Sequence, residues 1–584
     1  MNKQESDILN ALHTQDYINQ RALAEYTGHS LGIVNKCIKN LSKEGYVNER
    51  MELTDKAYNE FKSGTPQNAI ILAAGYGMRM VPINTEVPKG LLEVDGEPLI
   101  ERTIKYLHEV GVNNIYVIVG YMKEHYEYLI DEYDVRLVVC EEYAHKNNMH
   151  SLKLVADKIS NSYIIPCDIW CGTNPFSRNE LYSWYMVTDM IDRDSTVRVN
   201  RKMELVTTDT GRDGNAMIGI AYIKAEQADT LRKRITEMCA NPNFDGVFWE
   251  EALFEKGRMT VLAKIVSGEK IVEINTYEQL RELDNGSNHL KTEAMKIISD
   301  TLDASEEQIV DITLLKKGMT NRSFTFNCKG KKYIMRIPGE GTEQLINRKE
   351  EAEVYNVIRN KNICDDIVYI NPDNGYKITE FLQGARNCNP LEADDVRKCM
   401  KRLREFHEQN LSVDHRFDLF GQIDFYESLW GGKPSVYRDY NKTKEKVFEL
   451  IPYIEKYKCK EVLTHIDAVP DNFLFVRGES GKEEIRLIDW EYSGMQDPHV
   501  DIAMFCVYAM YDKEQVDALI DAYFTEGCER EIRIKIYCYI AVCGLLWSNW
   551  CEYKRELGIE FGEYSLRQYR YAKEYYRIVK EMRD

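Results

Sequence analysis

The sequence predicts a multidomain chain of mixed α/β and α+β class. A small helical module covers residues 1–65, an open, mostly parallel α/β domain 67–285, and a two-lobed α+β domain 291–584. Three stretches carry this reading. Residues 22–41 run helix, glycine turn, helix. Residues 68–80, NAIILAAGYGMRM, pass from a buried strand into a glycine-rich loop that ends on a cation. Residues 463–476, LTHIDAVPDNFLFV, set His465, Asp467 and Asn472 in the spacing H-x-D-x-x-x-x-N, and Asp489 ends the apolar run 485–488 a hairpin's length later.

The totals bound what the chain is. At 584 residues it is too long for one core. Lys+Arg 76 against Asp+Glu 95 gives a net charge of −19, which excludes a surface dominated by nucleic acid or anionic membrane. The 15 cysteines show no CxxC pair and no regular spacing, so they read as reduced thiols without a zinc site. The N-terminal residues carry no apolar targeting segment, and no run reads as long and apolar enough to cross a bilayer. A cytoplasmic protein is expected, with no membrane partner.

In the first module Ile8, Leu9 and Leu12 recur at helical spacing. Residues 22–26, the Gly28 turn and residues 30–41 then form a helix-turn-helix, and 45–53 a short wing. This resembles the winged-helix modules of bacterial regulators. The second helix offers Asn35, Lys36, Lys39 and Asn40 to DNA or to a protein. Acidic residues among the basic ones keep that footprint weakly charged. Residues 63–66 read as a linker.

In the second domain Gly75 and Gly77 let backbone N–H groups approach phosphate oxygens. Arg79 supplies a fork for the distal phosphates, and Lys89, in PKGLL, is poised for the α-phosphate. Residues 115–119 and 135–140 read as further parallel strands. The whole string LAAGxGxRM…PKxLL resembles the nucleotidyltransferase family, which joins nucleoside triphosphates to sugar phosphates or phosphocholine. The resemblance implies a Rossmann-like fold and a nucleotide site built from Leu72, Ala74, Gly75, Gly77, Arg79 and Lys89, with Asn148 and Ser151 from NNMHSL. It also implies Mg²⁺ on Asp168, which ends the strand 163–168. The second metal ligand of the family falls in an E-I-D string, here Glu273-Ile274-Asn275. Asn suits a hard cation poorly, so either Glu273 takes the role or the metal is held more loosely. Arg79, Lys89 and Mg²⁺ would offset charge as an acceptor phosphate attacks the α-phosphorus. Aromatics are dense here: Trp170, Trp184, Tyr185, Tyr222, Trp249. A quaternary ammonium is bound by ring faces beside a carboxylate, and Trp249 with Glu250 reads as that pocket.

In the third domain the chemistry fits phosphoryl transfer. Asp467 would orient an incoming hydroxyl, while Asn472 and Asp489 would hold Mg²⁺ over the phosphates. The stretch resembles the catalytic core of the aminoglycoside-phosphotransferase and choline-kinase families, and the string DWEY at 489–492 points toward choline kinases. The resemblance implies a bilobal protein-kinase-like fold. It places Thr320, Asn321 and Ser323 in a phosphate loop, and Arg336 where the nucleotide-binding lysine of protein kinases stands, with Glu351 as its pair. Glu380 and Leu382 would lie on a hinge strand against adenine, through backbone groups. His407 falls in a structural helix. Trp547 and Trp550 share one helix face. The resemblance to choline kinases implies that with Glu491 and Tyr492 they box a trimethylammonium group. Tyr564, Tyr569 and Tyr571 are candidates to close that box.

Together these resemblances imply a homo-oligomeric fusion that phosphorylates choline with ATP and couples phosphocholine to CTP. Two other readings stay open: a regulator whose degenerate domains sense choline or nucleotide, and a sugar kinase joined to a sugar-phosphate nucleotidyltransferase.

Overall fold

A computed structural model describes all residues except 18, 194, 196, 209–212, 316–320, 340–344, 479–482, 558, 560 and 584. The chain divides into two compact units, Met1–Lys296 and Ile297–Asp584.

The first unit begins with helices Lys3–Thr14, Gln20–Thr27, Leu31–Lys43 and Asp55–Ser63. Gly28 turns the chain at φ +69°, a conformation glycine adopts without steric cost. The Ser30 hydroxyl then accepts from the Ile33 N–H and caps the third helix. The wing is a single bridge between Val47 and Leu53. The expected linker 63–66 is no spacer. The Asn161 amide donates to the Ser63 carbonyl at 2.7 Å, and the Tyr222 hydroxyl to the Gly64 carbonyl at 3.0 Å. A Cβ on Gly64 would stand 2.0 Å from the Glu180 carbonyl oxygen. Leu181 belongs to the same apolar cluster as Ile8, Val34, Leu41 and Phe61. Lys224, largely buried, reaches Glu60 at 2.7 Å. The winged helix is therefore packed onto the α/β domain.

That domain is a mixed sheet. Four strands lie parallel in the order Arg136–Val139, Asn114–Val119, Asn68–Ala73, Ser162–Pro166. Their near-continuous apolar runs reflect burial on both faces. Strands Gly214–Ile223 and Trp184–Asp192 continue it antiparallel, and Arg258–Val266 follows. Gly214–Ile223 runs against both of its neighbours, and Arg258–Val266 pairs parallel with Trp184–Asp192, so the sheet is mixed. Asn68–Ala73 and Ser162–Pro166 are neighbours, so the loops leaving their C-terminal ends face one another across the crevice where open α/β sheets bind ligands.

The second unit has a five-stranded antiparallel sheet in the order Ile309–Leu314, Asn321–Cys328, Lys331–Pro338, Lys377–Glu380, Ile367–Ile370. Helix Arg348–Ile358 packs with it, and a mostly helical lobe follows. The axis of that lobe is helix Arg530–Glu556. Contrary to the expectation that no run is long enough, its length and composition suit a membrane span. Its most apolar window is 94% buried within the lobe, so the apolarity is that of a core helix.

Candidate functional sites

The first site lies at the C-terminal ends of Asn68–Ala73 and Ser162–Pro166, in a cleft of about 1020 Å³. Leu72, Ala74, Gly75, Gly77, Arg79, Lys89, Asn148, Ser151, Asp168, Glu250 and Glu273 all line it. Gly77 has φ +59° and stands 3.4 Å from the Lys89 side chain where a Cβ would project. Lys89 bonds to Asp168 and, at 2.7 Å, to the Asn275 side-chain oxygen. Arg79 donates to the same oxygen at 2.8 Å. Asn275 thus gathers the two cations, a role its neutral amide can fill. The other oxygen of Asp168 is buried without a hydrogen-bond partner. Burial, and then the Asp168 charge, raise the Glu273 carboxyl. Two carboxylates pressed together, one with an orphaned oxygen, fit a divalent cation held by Asp168 and Glu273.

Trp249 does not line this cleft. It is fully buried in the core, because the turn Trp249–Leu253 sends Trp249, Ala252 and Leu253 inward. The same turn leaves Phe248 60% exposed on the cleft wall, with Glu250 and Glu251 beside it. Burial pushes Glu250 up to about 7, and the Tyr185 hydroxyl donates to it at 3.3 Å. The sequence signal for Phe248 was adjacency alone: of the two rings in FWEE, only the outward one reaches the cleft. Tyr76 and Tyr143, with ring centroids 5.1 Å apart, also line it and were missed.

The second site is a cleft of about 700 Å³ in the other unit. Asp467, Asn472, Asp489, Glu491, Tyr492, Asn321, Ser323, Arg336, Trp547 and Trp550 converge on it. The loop carrying Asp467 is pinned from below. Asp501, fully buried, accepts from the backbone N–H groups of His465 at 2.9 Å and Ile466 at 2.7 Å. Ile466 sits at φ +67°, a strained conformation for a β-branched residue. His407 bonds to Asp501 at 2.9 Å and to the Tyr523 hydroxyl at 2.8 Å, so it braces the loop from behind. The Asn472 amide donates to the Asp467 carboxylate at 3.0 Å. Burial, and then Asp489 and Glu491, push Asp467 up to about 8. Burial also raises Asp489, against the pull of Lys377 and Arg336. This crowd of buried acids fits a divalent cation held by Asp489 and Asn472. Arg336 pairs with Glu351 through both oxygens, one contact being 2.9 Å.

Above the acids stand the rings. Trp547 and Trp550 meet edge to face at 5.4 Å, Tyr492 and Trp547 at 6.3 Å, and Phe561 lies 5.2 Å from Trp550. Burial pushes Glu491 up to about 7. Tyr564 lines the cleft, whereas Tyr569 bonds to Asp439 and Tyr571 to the Tyr511 carbonyl, away from it. Helical rise places Tyr571 about 10 Å further along its helix than Tyr564. Glu380 and Leu382 do not line the cleft. The Glu380 side chain pairs with Lys331, and its N–H donates to the Asp366 carbonyl at 3.0 Å. Leu315, Ile334 and Thr379 line the wall instead. Thr320 lies outside the described residues. Tyr508, Met510 and Phe561 were missed, since each comes from a segment remote in sequence.

Fold and sites define a class: two nucleotide-dependent transferases in one polypeptide, behind a winged helix. The comparisons with known proteins specify it. Residues 312–567 match the choline/ethanolamine kinase family, 69–178 the MobA-like NTP transferase domain, and 1–48 the winged helix-turn-helix DNA-binding family. The choline-phosphate cytidylyltransferase of Streptococcus pneumoniae is 33% identical over 221 residues, 37% of this chain and 96% of that one. Protein LicA of Haemophilus influenzae is 27% identical over 264 residues, 43% of this chain and 76% of that one. The crystal structure of choline kinase LicA from Streptococcus pneumoniae covers 49% of this chain and 100% of its own, at 26% identity and a TM-score of 0.42. The chain belongs to the choline-phosphate cytidylyltransferase family, fused to a choline-kinase domain.

Proposed function

We propose that this chain phosphorylates choline with ATP and then couples phosphocholine to CTP, releasing pyrophosphate as CDP-choline forms. The observation that carries the reading is the second cleft. Perpendicular rings of Tyr492, Trp547 and Trp550 and the acid Glu491 share one cavity with Asp467. Ring faces and one carboxylate suit a methylated ammonium, which offers no N–H donor.

Asp467 accepts the hydrogen bond of the choline hydroxyl and takes its proton as that oxygen bonds to the γ-phosphorus and the bond to ADP breaks. Arg336, kept in place by Glu351, holds the nucleotide phosphates. Mg²⁺, when bound by Asp489 and Asn472, supplies positive charge over those phosphates. In the first cleft a phosphocholine oxygen attacks the α-phosphorus of CTP, and the bond to the β-phosphate breaks. Arg79 and Lys89 offset the developing charge, and Asp168 with Glu273 would hold Mg²⁺ there. Glu250 and the Phe248 ring suit the cationic end of phosphocholine. We place the protein in the cytoplasm, the source of both nucleotides, and assign DNA or protein contact to the helix Leu31–Lys43.

A substrate panel with the whole protein tests this. ATP is given with choline, ethanolamine and an aminoglycoside, then CTP, UTP or dTTP with phosphocholine, while ADP and pyrophosphate release are followed. Choline and CTP should lead each series. An aminoglycoside turned over faster than choline would overthrow the reading.

A further inference from the structure

In the second unit, Arg348 opens the helix Arg348–Ile358, one turn before Glu351. Its side chain is 8% exposed. One nitrogen contacts the Glu351 carboxylate at 3.0 Å and the Glu491 carboxylate at 3.4 Å. The other donates to the Asn321 side-chain oxygen at 3.2 Å. Asn321 in turn donates its amide to Glu491 at 3.0 Å. The same oxygen of Glu351 accepts Arg336 at 2.9 Å. A continuous buried chain therefore runs Arg336, Glu351, Arg348, Glu491, with Asn321 across it.

The place for this guanidinium is built into the fold. Gly375 turns at φ +73°, and a Cβ there would stand 2.7 Å from the Arg348 side chain. The carbonyl of the same glycine accepts Arg336 at 3.0 Å. One residue thus seats both guanidinium groups. The chain also crosses the unit: Asn321 lies on the five-stranded sheet, Glu351 on the helix, and Glu491 in the helical lobe under the rings.

We propose that Arg348 is a positioning residue that couples the two substrates of the kinase, tying the carboxylate that meets the ammonium of choline to the ion pair that holds the nucleotide. This rests on the choline-kinase reading above. Seating ATP on Arg336 fixes Glu351, which fixes Arg348, which holds Glu491 in place beneath the rings. The fork reaches both carboxylates through one nitrogen and the Asn321 oxygen through the other, a planar spread that a single ammonium does not reproduce. Each substrate then tightens the site for the other, and the effect is reciprocal.

The test measures the choline KM of the full-length protein at limiting and at saturating ATP, in the wild type, Arg348→Gln and Arg348→Lys. In the wild type the choline KM should fall about fivefold or more as ATP saturates. Arg348→Gln should raise the choline KM about tenfold and make it independent of ATP. Arg348→Lys should recover most of the choline KM yet not the dependence on ATP. A purely structural arginine would instead lower kcat or melting temperature and leave that ratio as in the wild type, which overturns the proposal. A wild type whose choline KM ignores ATP overturns it too. A wild type that does not phosphorylate choline at all refutes the underlying reading, and the coupling falls with it.

Discussion

Trp547→Leu isolates the contribution of one ring. Trp547 is partly buried, stands 5.4 Å from Trp550 and 6.3 Å from Tyr492, and points its N–H at the Met504 sulfur, 3.1 Å away. Leucine keeps helix propensity and much of the apolar volume but removes the π face. A desolvated cation over such a face is worth up to about 2 kcal/mol. At 1.4 kcal/mol per tenfold, kcat/KM for choline should therefore fall roughly 30-fold. Ethanolamine, whose ammonium can hydrogen-bond to Glu491, should lose only about threefold. Coupled ADP release with each amine measures both, and the KM for ATP serves as the internal control. If choline and ethanolamine suffer equally, or if the KM for ATP rises in step, the ring packs the lobe and does not meet the substrate.

Other outcomes follow from the same geometry. Asp467→Asn should cut choline phosphorylation by about 10²–10⁴-fold while the chain still makes CDP-choline from added phosphocholine. Lys89→Ala should do the reverse, lowering pyrophosphate release about 10²–10³-fold with choline phosphorylation unchanged. His499 is buried beside Asp497, and burial holds it near 3, far below its ordinary 6.5. Below pH 6.5 the unfolded chain takes up this proton and the folded one does not, so stability falls as the medium is acidified. Between pH 6.5 and about 5 the loss should be about 2 kcal/mol, seen as a lower urea midpoint and flattened in His499→Gln. Gly64→Ala should lower the melting temperature by several degrees, because its methyl meets the Glu180 carbonyl.

The parts legible in the sequence were those whose chemistry fixes a local spacing. His465, Asp467 and Asn472 lie on one turn, and Gly75, Gly77 and Arg79 on one loop, so their strings alone bring them together. The direction of a ring is a different matter. FWEE holds an apolar pair and an acidic pair, and only the turn Trp249–Leu253 decides that Trp249 goes inward and Phe248 outward. On the strand Lys377–Glu380 alternation sets the face, and the Glu380 side chain joins Lys331 outside. Asn275 looked like a weakened metal ligand, but in the fold its oxygen accepts from Arg79 and Lys89. Phe561 and Tyr508 reach the second cleft from two separate segments, a convergence that no periodicity encodes.

Leu181 fills a hole among the N-terminal helices, and Glu60 neutralises Lys224 from across the seam. A truncated version starting at residue 67 would leave an oily wound on the catalytic body and strip that lysine of its nearest counter-charge. The N-terminal helices thus act as a stopper on that body. They seat on the ends of Ser162–Pro166 and Gly214–Ile223 opposite to those that line the cytidylyltransferase cleft.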